Sequence, residues 1–346
     1  MTRPVLLAVD GNSLIHRSYH ARAHTGHRLD DGRPGWAVQG LLAQLTAAAD
    51  RACAQLLVVG FDDPSASVRR ERWPTYKAQR PAKLATLAAQ LRLAAETLTE
   101  LGVNVIVPPG LEADDVLASA AAYARRAGLR AVLLSSDRDC FALVDESTRL
   151  LRLVDGGLGG SPMLDPRRIE LLAGVRPDQY ADLAALRGDP ADNLPGIRGV
   201  GPATAARLLA EFGTATAVFD DAAGGGERVR RIAGPVVAAR LAEPPGRATW
   251  ERNRAIMAMH SDIALGIDPP DAWGRLPLDE AAVRRLYERF ELGVGSAVRS
   301  LCTATPSSPR GRDEDPRWQP KPRSRSSARF APLRTPRQAH VQDALF

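Results

Sequence analysis

Residues 5–10 read Val-Leu-Leu-Ala-Val-Asp, five apolar side chains running straight into one acid. An apolar run of that length reads as a strand, with the acid just past its end. The pattern recurs along the chain. Leu56–Phe61 runs into Asp62 and Asp63. Val103–Val107 leads, after a Pro-Pro-Gly turn, to Glu112, Asp114 and Asp115. Ala131–Ser135 leads to Asp137 and Asp139. In an open parallel α/β sheet the carboxyl ends of the strands form one edge, and ligands bind there. Acids at four strand ends therefore converge into one strongly negative pocket, which is unfavourable unless a cation fills it. Donors that are all oxygen select a hard divalent ion, Mg²⁺ or Mn²⁺.

Between these strands the periodicity is helical, as βαβ units require. Val38, Leu41, Leu42 and Leu45 mark a helix over Trp36–Asp50. Leu84, Leu87, Leu91, Leu98 and Leu101 mark another, and an Ala-rich helix covers 112–127. Beyond residue 160 the pattern is mostly helical. Asp165-Pro166 reads as an N-cap followed by proline at the first helical position. Helices are predicted near 177–187, 202–211, 228–242, 247–259 and 279–290, with Gly224–Gly226 as a loop. The expected division is an α/β core over 1–175 with an arch at about 64–95, a helical region over 176–302, and a disordered tail over 303–346.

The 346 residues are 45% apolar, and no apolar run is long enough to span a bilayer. The N-terminus carries no charged-then-apolar leader, so a cytoplasmic, nucleoid location is expected. Cys53, Cys140 and Cys302 are odd in number and lack Cys-x-x-Cys spacing, which argues against a zinc cluster or a disulfide framework. The net charge of +6 is uneven. Nine Arg or Lys against four Asp or Glu fall in 303–346, and the rest of the chain nearly balances. Any nucleic-acid footprint in the core must therefore come from local clusters. One such cluster lies at 64–83, where Arg69, Arg70, Arg72, Lys77, Arg80 and Lys83 alternate with Trp73 and Tyr76, a mixture suited to phosphates and bases.

Asp189 and Asp192 add two acids from the helical half. Asp10, Asp62, Glu112, Asp114, Asp115, Asp137, Asp139, Asp189 and Asp192 together exceed what one cation needs, and two divalent ions are the natural reading. The run GDPADNLPGIRGVGPATAARLL at 188–209 is the most specific stretch. Its glycine-rich turn frees N–H groups for phosphate oxygens and carbonyls for a monovalent cation, and a helix starts just after it. Gly196, Arg198, Gly199, Val200, Gly201 and Thr204 are the duplex-binding candidates there, with Arg70 from the basic cluster.

With these motifs assembled, the chain resembles the 5′–3′ exonuclease (flap endonuclease) family, as found at the N-terminus of bacterial DNA polymerase I. VDGNSLIHRSYHA at 9–21, FDDPSASVRRERWPTYKAQRP at 61–81, EADD at 112–115, SSDRDC at 135–140 and GDPADNLPGIRGVGPATA at 188–205 carry the resemblance, which covers about residues 3–300. It implies a PIN-like α/β fold with a mostly parallel sheet, and a helix–three-turn–helix over 188–211 that grips duplex backbone with K⁺. It also implies that the nine acids are metal ligands; all nine positions are filled, and Asp63 is left out. Arg69, Tyr76, Lys77 and Arg80 match the arch past which the 5′ end runs. Lys77 and Arg69 are expected to neutralise the scissile phosphate, and Tyr76 to stack on a base. The implied activity is metal-dependent cleavage of 5′ ends and flaps, including primer removal and repair, by a monomer.

Only 44 residues follow Cys302, so a separate polymerase is expected as a partner. Gln342, Leu345 and Phe346 resemble the Gln-x-x-Leu-Phe peptide that docks on the β sliding clamp, and a polar tether ending in two apolar anchors suits that mode. A non-catalytic branched-DNA adaptor that recruits the clamp is the alternative of another class; the full acid set disfavours it. An RNase of related fold is a third, disfavoured by the glycine turn. His16 and His20 are read as helix-packing or surface residues.

Overall fold

The computed structural model describes residues 3–154, 157–267 and 274–303. Its centre is a six-stranded sheet of β1 (Val5–Asp10), β2 (Leu56–Gly60), β3 (Asn104–Ile106), β4 (Arg130–Ser135), β5 (Thr148–Arg152) and β6 (Met163–Leu164), in the order β3-β2-β1-β4-β5-β6. All neighbours pair in parallel except β5 and β6. Every residue of β1 is buried, as its unbroken apolar run requires. The chain moves outward from β1 through β2 to β3, then returns to the other side of β1 as β4. The order therefore reverses between β1 and β4, and the crevice at such a switch point is where open α/β sheets bind ligands.

Helices α1 (Gly11–Arg22), α2 (Trp36–Ala52), a short α3 (Val68–Arg72), α4 (Ala85–Glu100) and α5 (Ala113–Ala127) link these strands. One apolar core joins β1 and β2 to Leu41, Leu42 and Leu45 of α2 and to Leu87, Leu93 and Leu98 of α4. Helix α5 packs against β1, β2 and β4. The third strand starts one residue after Val103, because the Val103 N–H bonds back to the Leu98 carbonyl and closes α4.

After α6 (Pro166–Ala173), capped by Asp165 as expected, come α7 (Pro177–Arg187), the two-residue strands β7 (Gly188–Asp189) and β8 (Leu194–Pro195), and α8 (Pro202–Phe212). Then follow α9 (Ala215–Ala223), α10 (Glu227–Ala233), α11 (Pro235–Ala242) and α12 (Pro244–Met257). The expected helix over 228–242 is two helices. Gly234, at φ +83°, and Pro235 break it, since proline removes an N–H and clashes with the preceding turn. Helices α13 (Glu280–Arg289) and α14 (Val294–Leu301) return to the first core, where Tyr287, Phe290 and Leu301 are buried. Among the described residues no helix is long and apolar enough to cross a membrane. Gln342, Leu345 and Phe346 lie outside the described residues.

Candidate metal centre and nucleic-acid interface

The acids of the strand ends are held from below by small polar residues. Asp10 ends β1 and caps α1, taking the Ser13 N–H on Oδ1 (2.8 Å) and the Ser135 hydroxyl on Oδ2 (2.7 Å). The second bond crosses the switch point from β1 to β4. Asp62 follows β2. Its Oδ2 accepts from the Asn12 side-chain amide and its Oδ1 from the Ala113 N–H at 3.0 Å, so it joins α1 to the start of α5. Asp137 follows β4, with its N–H on the Ser135 hydroxyl, and accepts the Asp139 N–H at 2.9 Å. Asn12, Ser13 and Ser135 support this edge and were not singled out from sequence. Their only signal is position, next to the strand-end acids. Asp63 caps the next turn through Ser65 and Gly110, which hold its carboxyl down at about 2, and takes no part.

Glu112 and Asp115 form a reciprocal capping box at the start of α5. The basic segment closes over it. Lys77 Nζ sits 2.7 Å from Glu112 Oε1, and the Tyr76 hydroxyl donates to Oε2 at 3.0 Å. Arg69 is buried and makes two parallel bonds to Asp115, at 2.7 and 2.8 Å, plus one to Glu112. Two expectations change here. Arg69 is locked under the acids and does not face a phosphate. Tyr76 is buried against Leu194 and Ile256, with Trp73 and Met257 at the margin, so its ring is not offered to a base. Arg70 remains exposed, and Arg72 lies over the Trp73 ring at 4.7 Å.

The helical half supplies the opposite wall. Asp189 caps the turn after β7 through the Ala191 N–H. Asp192 accepts from Arg80, and its carbonyl takes the Lys77 N–H at 3.0 Å. The Asn193 side chain reaches the Thr75 carbonyl at 2.9 Å. The basic segment is thus bonded to both halves. In the glycine turn, Arg198, Gly199 and Gly201 are exposed, and Thr204 stands partly exposed in the first turn of α8. Gly196 is there for packing, because a Cβ would overlap the Arg187 carbonyl. Val200 does not suit its expected DNA role: its side chain is buried and its N–H is taken by the Ile197 carbonyl.

Charge makes this pocket unstable as a purely anionic one. Burial, then repulsion from Asp62 and Asp137, pushes Asp10 up to about 7. Burial, then Asp137, Asp189 and Asp192, does the same to Asp139. Asp192 is raised by burial, and Asp114 is raised by burial and by Asp115. One oxygen of Asp114 is buried without a hydrogen-bond partner. An orphaned carboxylate oxygen among all-oxygen donors fits a hard divalent ion. As they stand, no three acid, histidine or cysteine side chains among the described residues converge closely enough to hold one. Lys77 and Arg80 meet Glu112 and Asp192 instead. His16 is half-buried on α1, and burial, then Lys83, lowers its pKa.

Two family models match this chain: the 5′–3′ exonuclease N-terminal resolvase-like domain over residues 5–170, and the 5′–3′ exonuclease C-terminal SAM fold over 175–279. The chain belongs to the 5′–3′ exonuclease family. DNA polymerase I of Mycobacterium tuberculosis is 33% identical over 292 residues, 84% of this chain and 31% of that protein. Thermostable DNA polymerase I of Thermus aquaticus is 33% identical over 288 residues, 83% and 32% of the two chains. This 5′–3′ exonuclease chain therefore spans about a third of the length of these relatives. In fold it is similar to the T5 D15 protein co-crystallised with metal ions, with TM-score 0.61, 17% identity, and 86% and 99% coverage of the two chains. The catalytic core of Rad2 in complex with DNA substrate gives TM-score 0.54 and 17% identity, with 86% and 92% coverage. The first family model ends within α6 and the second begins just before α7, so the acidic pocket draws on both, with Asp10 to Asp139 from the first and Asp189 and Asp192 from the second.

Proposed function

We propose that this chain is a divalent-metal-dependent 5′ nuclease that cleaves DNA at 5′ ends and flaps. The observation that carries the reading is the raised, mutually repelling acid set at the β1/β4 switch point, faced by basic residues on the arch and a glycine turn. Asp10, Asp62, Glu112, Asp114, Asp137, Asp139, Asp189 and Asp192 would hold two Mg²⁺ or Mn²⁺ ions. Such ions, when bound, lower the pKa of water and stabilise the charge that develops on a phosphodiester. The protein's own part is to orient these carboxylates through Ser13, Ser135 and Asn12. Lys77 and Arg80, once released from Glu112 and Asp192, meet the substrate phosphates. Arg198, Gly199, Gly201 and the start of α8 take duplex backbone, with K⁺ on turn carbonyls. Hydrolysis joins a water oxygen to phosphorus and breaks one phosphorus–oxygen ester bond, leaving a phosphate on one fragment and a hydroxyl on the other.

The deciding assay uses 5′-labelled flap, nicked and single-stranded DNA, with Mg²⁺ or with EDTA. Short 5′ products in Mg²⁺ alone, and none from Asp137→Asn, are expected. Tight flap binding without any cleavage in Mg²⁺ or Mn²⁺ would leave the branched-DNA adaptor as the correct reading. Two further elements of the proposal are the β sliding clamp, bound through Gln342, Leu345 and Phe346, and a separate polymerase. Loss of clamp pull-down on Leu345→Ala with Phe346→Ala is the expected result; unchanged pull-down removes that element.

A further inference from the structure

We infer that Asp115 is not a metal ligand but a positioning residue, and that Arg69 and Asp115 together aim Glu112 and Asp114 into the pocket. This rests on the metal-dependent reading above and assigns roles within it. Asp115 is fully buried, and four donors fill its two oxygens. Oδ1 accepts from Arg69 Nη2 and from the His260 N–H, both at 2.7 Å. Oδ2 accepts from Arg69 Nη1 at 2.8 Å and from the Glu112 N–H at 2.9 Å. A carboxylate offers about four lone-pair directions, so none is left for an ion. Two of those donors are backbone amides, which cannot swing aside as a lysine can.

Glu112 and Asp114 differ in kind. Beyond the Asp115 N–H of the capping box, the donors on Glu112 are side chains, from Arg69, Tyr76 and Lys77, and one oxygen of Asp114 has no hydrogen-bond partner, with Arg69 Nη1 3.8 Å away. Within one acidic run, the residue most firmly held is thus the one farthest from ligand behaviour. Arg69 extends the same fixture. Its Nε and Nη2 donate to the carbonyls of Ile256 and Ala258, at 3.1 and 2.8 Å. One guanidinium therefore ties the arch base in α3, the start of α5 and the segment leaving α12. The planar fork makes all these bonds at once, which an ammonium cannot do.

The test is Mn²⁺ binding to the full chain, counted by electron paramagnetic resonance, alongside flap cleavage as a function of Mn²⁺. Asp115→Asn is expected to keep the wild-type number of Mn²⁺ sites, with affinity weakened about 10- to 100-fold, as for groups that support ligands. Its cleavage rate should recover at high Mn²⁺. Asp114→Asn should lose a site. Loss of a site in Asp115→Asn overturns the inference. Should Asp115→Asn fail to fold, Arg69→Lys takes its place. Weakened Mn²⁺ affinity with the turnover restored by excess Mn²⁺ supports the positioning role, and unchanged affinity overturns it. A wild-type chain that binds no Mn²⁺ refutes the metal-dependent reading itself, an outcome separate from either variant result.

Discussion

Lys77 bonds Glu112 through its ammonium and Asp192 through its backbone N–H, so one residue spans the two walls of the acid pocket. It does so from the left-handed region, at φ +54°, a conformation that a non-glycine residue holds only where its surroundings impose it. The ammonium occupies the position of a counter-ion to Glu112. A divalent ion entering the pocket competes with it for that carboxylate. Lys77→Met should therefore bind Mn²⁺ more tightly, by about 3- to 10-fold, since the competing charge is gone and the apolar stem remains. Cleavage should be slower by about 100-fold, the usual effect of losing one group that stabilises transition-state charge. Calorimetric titration with Mn²⁺ checks the first part. Weaker binding in the variant would show that Lys77 supports the site rather than competing for it.

Asp10 and Asp139 make stability depend on pH in an unusual direction. Burial and neighbouring carboxylates raise each from 3.8 to about 7 in the folded chain. Between those values the folded protein binds more protons than the unfolded chain, so stability declines as pH rises. The contribution is whole below about 4 and gone above about 7. In EDTA, the melting temperature should therefore fall from pH 5 to pH 7.5, and less steeply in an Asp10→Asn, Asp139→Asn variant. Mg²⁺ should raise the wild-type melting temperature more at pH 8 than at pH 6, because the acids must lose protons to bind it. A Mg²⁺ shift that is the same at both pH values would contradict the protonated state assigned to these two acids.

The parallel sheet and its acidic edge were legible in the sequence because buried parallel strands leave unbroken apolar runs such as Val5–Val9, each ending at an acid. Strands β5 and β6 left no such run: Thr148–Arg152 holds only two apolar residues, Leu150 and Leu151, between polar ones, and β6 at the sheet edge is two residues long. The roles of Arg69 and Tyr76 were not legible. Composition places a basic, aromatic segment beside the pocket, but which side chains turn inward depends on contacts with Ile256, Ala258 and Leu194, nearly two hundred residues away for the first two. Glycines in the 188–201 turn pose the same problem. Their spacing marks the turn, while the packing around each decides whether the missing side chain serves the fold or the ligand.

That distinction can be measured at Gly196 and Gly201. Strands β7 and β8 pair Gly188 with Pro195 and Asp189 with Leu194, so Gly196 leaves the pair pressed against the start of β7. A Cβ there would overlap the Arg187 carbonyl, which is backbone and cannot step aside. Gly201, at φ −83° before α8, has open space where its Cβ would point. Gly196→Ala should therefore destabilise the fold by about 1–3 kcal/mol, as overpacking does. It should weaken metal binding as well, because β7 carries Asp189. Gly201→Ala should leave the melting temperature unchanged and weaken duplex binding, since it stands where phosphate approaches the N-terminus of α8. Thermal melts and binding of a nicked duplex, run on both variants, separate the two. Equal destabilisation by both would mean that the turn as a whole is a packing element, and that duplex contact must be sought at Arg198 and Thr204 instead.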